Sequence, residues 1–218
     1  MEKITLATQE QRIILDAVSN HPFFKQFYFT GETALSYYYL THRYSDDLDF
    51  FCEKPFDRDD LSNIIVEWSK KYLFTFELNH HKHMDIYNLT FSQGIQLKLD
   101  FVHDPHKRLE VGASWQTLAV DSLIDIATNK LLTTNQRTTV KDFVDLYFLL
   151  QTHSLYDLME GVKVKFGIKL DALFMATNFL KVDSFTFLPR MIKPLTLSEL
   201  QSFFRSLAIE VSKQVIEE

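Results

Sequence analysis

The chain has 218 residues, of which 46% are hydrophobic and 14% aromatic. That is ample for a packed core in one large domain or two small ones, and it excludes a disordered chain. The formal charge of −6 argues against broad attraction to nucleic acid, so any RNA or DNA site must be confined. The single cysteine, Cys52, excludes an intrachain disulfide and a multi-cysteine zinc site, and its setting in LDFFCE marks a small core hydrophobe. No uninterrupted apolar run reaches about 18 residues. The opening MEKITLATQEQR lacks the basic and then apolar layout of a secretory signal, so a cytoplasmic protein without membrane contact is expected.

In chain order, hydrophobic periodicity predicts helices over 8–20, 32–41 and 57–71, interleaved with strands over 26–30, 46–52, 72–79, 83–91 and 95–103. After Pro105 the strand signals fade, and helices are predicted over 120–134, 139–151, 154–165, 170–181 and 197–216. The expected class is α+β, a mixed sheet with packed helices over residues 1–104, followed by a helical half over 105–218 docked on it. Repeats, low-complexity tracts and Gly/Ser linkers are absent from the sequence.

The stretch FTGETALSYYYLTHRYSDDLDFF carries the chemistry. On a strand, Asp47 and Asp49 share a face while Leu48 and Phe50 point into the core. Two carboxylates so close repel unless a cation lies between them, and hard oxygen donors suit Mg²⁺, with Mn²⁺ as a substitute. The ordinary alternative is a pair of solvated charges at a strand edge. IQLKLDFV alternates cleanly and places Asp100 on a polar face. If the two strands are neighbours, Asp100 completes a three-carboxylate site and can take a proton from an attacking hydroxyl. Gly31 reads as a turn before a helix whose first N–H groups attract phosphate. Its ordinary alternative is a plain turn with Thr30 as the helix N-cap.

Further along, Lys130 falls within the apolar stripe of Leu123, Ile126, Ala127 and Leu131. Either it meets a phosphate or its head snorkels to water. Asp142 and Asp145 lie three apart on a hydrophobic helix and can orient Lys130 or Arg137. The alternative is an ordinary Lys141–Asp145 pair worth about 0.2–0.5 kcal/mol. The His80, His81 and His83 cluster reads as a hairpin turn, and most aromatic residues as core.

These residues resemble a known family, the AbiEii/AbiGii toxin nucleotidyltransferases of the DNA polymerase β-like superfamily. The family pattern of Gly-Gly-Thr-Ala-Leu, then His-Arg-x-Ser-x-Asp-Leu-Asp-Phe-Phe, is matched here by GETAL and HRYSDDLDFF. The resemblance covers Gly31, Thr33, Ala34, Leu35, His42, Arg43, Ser45, Asp47 and Asp49, and extends through Lys130, Arg137, Lys141, Asp142 and Asp145. It implies a Mg²⁺-dependent transferase moving a nucleoside monophosphate from a nucleoside triphosphate to an acceptor hydroxyl. Asp47, Asp49 and Asp100 are then the catalytic, metal-binding set. Gly31, Thr33, Arg43, Ser45, Lys130, Arg137, Asp142 and Asp145 are the nucleotide-binding set. The resemblance also implies a toxin-like role, an RNA acceptor such as transfer RNA, and an antitoxin protein as partner. Glu32 replaces the family's second glycine, and a carboxylate in that turn repels a triphosphate. This motivates a second reading, a catalytically silent binding module. A small-molecule nucleotidyltransferase of the antibiotic-modifying sort is the third, motivated by the lack of a basic run.

Overall fold

A computed structural model describes residues 7–217. The chain forms two compact units, one made of residues up to Tyr39 together with Ser45–Ser122, the other of Leu40–Tyr44 together with Leu123 onward. The HRYS motif is thereby divided: His42 and Arg43 belong to the second unit, Ser45 to the first.

The first unit opens with α1 (Gln9–Asn20), started by a capping box in which Thr8 accepts from the Gln11 N–H and Gln11 reaches back to Thr8. A 3₁₀ turn leads into β1 (Phe27–Thr30), then α2 (Gly31–Ala34), a π-helical segment over Leu35–Leu40, and β2 (Leu48–Cys52). Next come α3 (Arg58–Tyr72), β3 (Phe74–His80), β4 (Met84–Phe91) and β5 (Gln96–His103). Two short strands follow Pro105, where the sequence reading saw none: β6 (Ser114–Trp115) and β7 (Leu118–Val120). Each is too short to show an alternation of its own.

The seven strands form one mixed sheet in the order β3-β4-β5-β2-β1-β7-β6. β2 runs antiparallel to β1 and parallel to β5, and α3, β3 and β4 make the crossover that a parallel pair requires. One face is apolar. Phe50 stacks on Phe101 at 5.2 Å, Phe24 lies 5.6 Å from Phe101, and Trp68 of α3 lies 5.2 Å from Phe24. Buried Ile14, Leu15 and Val18 of α1 and Leu61 and Ile65 of α3 extend this core. Each such fully buried side chain contributes roughly 1.5–3 kcal/mol. Because strand side chains alternate, burying Leu48, Phe50 and Cys52 turns Asp49 to the opposite face. Burial pushes the Cys52 thiol up to about 12, so no thiolate forms near neutral pH.

The second unit contains α4 (Leu123–Gln136), α5 (Val140–Leu149), α6 (Leu155–Phe166), α7 (Ala172–Phe179) and α8 (Leu197–Glu217). Thr139, Ser154 and Asp171 cap three of these helices through their side chains. Gly167, at φ +68°, ends α6 in the left-handed conformation. Phe143 and Phe179 pack on Phe204 of α8 at 4.8 and 5.4 Å. Leu40–Tyr44 is bound into this unit by backbone hydrogen bonds from Tyr44 to Arg190 and from Ile192 to His42. No helix among the described residues is long and apolar enough to cross a membrane.

Candidate active site

The first unit assembles its carboxylates through strand register. Asp49 lies directly opposite Asp100 in the parallel β2/β5 pair, and opposite Thr30 in the antiparallel β1/β2 pair. The strand adjacency that the three-carboxylate reading needed is therefore present. Asp47 sits one residue before β2 begins, so the chain just ahead of the strand carries it. It still joins the group, because Lys98 Nζ lies 2.6 Å from Asp100 Oδ2 and 4.0 Å from Asp47 Oδ2.

Gly31 is required at its position for two reasons. Its φ of +74° is a conformation that side chains with a Cβ resist, and Asp49 rests directly on its Cα. A Cβ there would lie 2.0 Å from Asp49 Oδ2 and 2.9 Å from Asp49 Cβ. Thr30 occupies the N-cap position of α2 but makes no side-chain cap bond; its hydroxyl donates to Asp121 Oδ2 at 2.8 Å. The plain N-capped turn is thus not what forms.

Thr33 and Ser45 hold the chain that carries Asp47. Their hydroxyls are 2.8 Å apart, and Thr33 donates to the Asp47 carbonyl at 2.5 Å. Gln11 Nε2 adds bonds to the carbonyls of Ser45 at 3.0 Å and Asp46 at 3.1 Å. Sequence reading passed over Gln11, although the Thr8-x-x-Gln11 capping box was the available signal. It also passed over Lys98, whose place two residues before Asp100 on the polar side of an alternating strand was visible.

The electrostatics are those of crowded carboxylates around one lysine. Asp49 is pushed up to about 7, chiefly by burial of its carboxylate, then by the charges of Asp100 and Glu32 and more weakly Asp47, with Lys98 opposing. Glu32 therefore adds negative charge to the cluster. For Lys98, burial lowers the pKa, but the hydrogen bond and charge of Asp100 and the charges of Asp47 and Asp49 outweigh it and leave the ammonium raised. Asp100 is buried, and its Oδ1 has no hydrogen-bond partner. A buried carboxylate oxygen without a donor is costly unless something positive meets it.

The second unit gathers its candidates around two buried aspartates of α5. Asp145 accepts from Arg43 Nε at 2.6 Å and Nη2 at 2.9 Å, and lies 2.8 Å from Lys130 Nζ and 2.7 Å from His42 Nε2. Asp142 accepts from Lys130 at 2.7 Å, Arg137 Nε at 2.8 Å and Thr139 at 2.5 Å. Lys130 neither snorkels nor stands alone: the aspartates are its partners. Lys141 is exposed, and Asp145 is engaged by the buried cations. Burial raises both carboxylic pKa values, but Lys130 with Arg137 (for Asp142) and Lys130 with Arg43 (for Asp145) outweigh it, so both are lowered, Asp145 well below its ordinary range. Arg43 is fully buried, its fork closed on Asp145 and the Tyr44 carbonyl, whereas Arg137 is 57% exposed.

The mixed sheet thus sets two carboxylates from adjacent strands beside a glycine turn. The match to the family model described as nucleotidyl transferase AbiEii toxin, type IV TA system, runs over residues 13–212, and the chain belongs to that family. It is 34% identical over 159 residues to the uncharacterized protein aq_aa25 of Aquifex aeolicus (strain VF5), covering 72% of each chain. Solved structures share the fold. JHP933 from Helicobacter pylori superposes with a TM-score of 0.56 at 20% identity, covering 94% of this chain and 90% of that one. MenT4, a nucleotidyltransferase toxin from Mycobacterium tuberculosis H37Rv, gives 0.51 at 13% identity, covering 92% and 82%.

Proposed function

We propose that the protein transfers a nucleoside monophosphate from a nucleoside triphosphate to the hydroxyl of an RNA acceptor, in a toxin role balanced by an antitoxin protein. The observation that carries this reading is the register pairing of Asp49 with Asp100, with Gly31 directly against the Asp49 carboxylate. The donor chemistry suits a divalent cation: Asp49 and Asp100 are paired in register, Asp47 lies 4.0 Å from the Lys98 ammonium that also meets Asp100, and the buried Asp100 Oδ1 has no hydrogen-bond partner. Asp47, Asp49 and Asp100 would hold Mg²⁺ or Mn²⁺, which when bound supplies charge neutralisation on the phosphates and a more acidic acceptor hydroxyl.

The chain's own residues do the rest. The turn at Gly31, left without a side-chain cap, receives phosphate on its backbone N–H groups. Thr33, Ser45 and Gln11 keep Asp47 in place. The acceptor oxygen attacks the α-phosphorus, a new P–O bond forms, the α–β anhydride bond breaks, and pyrophosphate leaves. Asp100 either joins the cation's ligands or takes the acceptor proton. In the second unit Asp142 and Asp145 fix Lys130, Arg137 and Arg43, with Arg43 fully buried and Arg137 57% exposed. RNA is preferred as acceptor on the family's toxin character, and the charge of −6 requires a local footprint.

The test incubates the protein and its Asp49→Asn variant with Mg²⁺, labelled triphosphates, and either total RNA or small hydroxyl compounds. The expected result is label on RNA, lost in Asp49→Asn and falling steeply with salt. Label on small molecules alone overturns the RNA assignment. A second reading, a silent nucleotide-binding module, is favoured by the Glu32 charge beside Asp49. It is upheld if the natural chain binds nucleotide without turnover and Glu32→Gly gains transfer.

A further inference from the structure

We infer that Lys98 is a resident counter-ion of the carboxylate cluster: in the metal-free chain its ammonium fills the place a divalent cation takes, and the cation binds by displacing it. The inference rests on the reading of Asp47, Asp49 and Asp100 as cation ligands.

Among the described residues, Lys98, Lys130 and Lys165 each place Nζ within 2.6–2.8 Å of an aspartate oxygen, and they differ in what surrounds them. Lys165, on Asp125, is fully buried, and Lys130, on Asp142 and Asp145, is 7% exposed; both are locked in place. Lys98 is 36% exposed, so its long stem can carry the ammonium outward into water without unpacking the sheet. It approaches Asp100 through Oδ2 alone and leaves Oδ1 without a partner. A buried carboxylate normally has its oxygens satisfied, and that of Asp100 does not.

A lysine so placed has two effects. It holds Asp100 and Asp47 in position when no metal is present, and it weakens metal binding because its own contacts must first be given up. The group that limits the apparent metal affinity is therefore a side chain of β5.

Mn²⁺ alone, without nucleotide, is titrated calorimetrically into the natural chain and into Lys98→Gln, Lys98→Arg and Asp49→Asn. Thermal unfolding is followed in chelator and in Mn²⁺. Lys98→Gln is expected to bind Mn²⁺ about tenfold more tightly, the scale of one charge-assisted hydrogen bond at a half-exposed site. It should melt lower in chelator and gain more from Mn²⁺ than the natural chain. Lys98→Arg, which keeps the charge, should stay near the natural affinity. Equal or weaker Mn²⁺ binding by Lys98→Gln, with binding still abolished by Asp49→Asn, overturns the counter-ion role and leaves the carboxylate reading intact. Binding insensitive to Asp49→Asn overturns both.

Discussion

Asp145→Ala is expected to destabilise the helical unit by about 3–5 kcal/mol, the cost of breaking a buried ion network from one side. The carboxylate accepts both arms of the Arg43 fork and also meets Lys130 and His42, all with little or no exposure. Alanine removes both fork bonds of the buried Arg43 guanidinium and one of the carboxylates that meet Lys130. Neither cation can reach water without unpacking α4 or the Leu40–Tyr44 segment. The same network sets an acid limit. Asp145 is lowered well below its ordinary 3.8, so the unfolded chain takes up the proton first as pH falls. Its stabilising contribution is present in full above about pH 4 and is lost progressively below, as pH drops through the folded value. Urea unfolding of both proteins at pH 7 and across pH 3–5 checks this. A loss below about 1 kcal/mol at pH 7 would assign the network a surface-like role and contradict the account.

Gly31→Ala should slow transfer roughly a hundredfold while leaving most of the fold. The left-handed φ costs about 1–2 kcal/mol for a residue with a Cβ. The larger effect is steric: the new methyl group falls on Asp49 Oδ2, Cγ and Cβ, all within 2.9 Å. The side chain or the turn must shift by an ångström or more, and a misplacement of that size costs roughly a hundredfold in rate. Comparing turnover with the far-ultraviolet circular dichroism of the variant separates the two effects. Activity within about twofold of the natural chain would show that Asp49 does not need this seat.

The contrast between these two sites shows what was legible in the sequence. Gly31, Asp47, Asp49 and Asp100 lie on short, strongly patterned segments where an alternation of two assigns faces, and only the neighbouring of β2 and β5 had to be assumed. Asp47 falls just outside the strand because local pattern does not mark where pairing begins. His42 and Arg43 stand beside Ser45 in the motif, but their partner is Asp145, more than 100 residues on. Periodicity is silent on such distances. The same holds for Lys130, whose place on an apolar stripe signalled a need for a partner without saying that α5 supplies it. Thr33 and Ser45 read as ligand-facing residues, yet their hydroxyls meet each other. β6 and β7 were missed because so short a strand carries no period; they exist through pairing with each other and with β1.

The most direct test of the central claim follows the two ends of the triphosphate. The protein is given RNA, Mg²⁺ and a nucleoside triphosphate labelled in separate reactions at the α- or the γ-phosphate, beside Asp49→Asn. Nucleotidyl transfer at the Asp47, Asp49 and Asp100 cluster places the α-label on the acceptor and releases the γ-label as pyrophosphate, with neither seen in the variant. A γ-label found on the acceptor, or α-label transfer undiminished in Asp49→Asn, would contradict it.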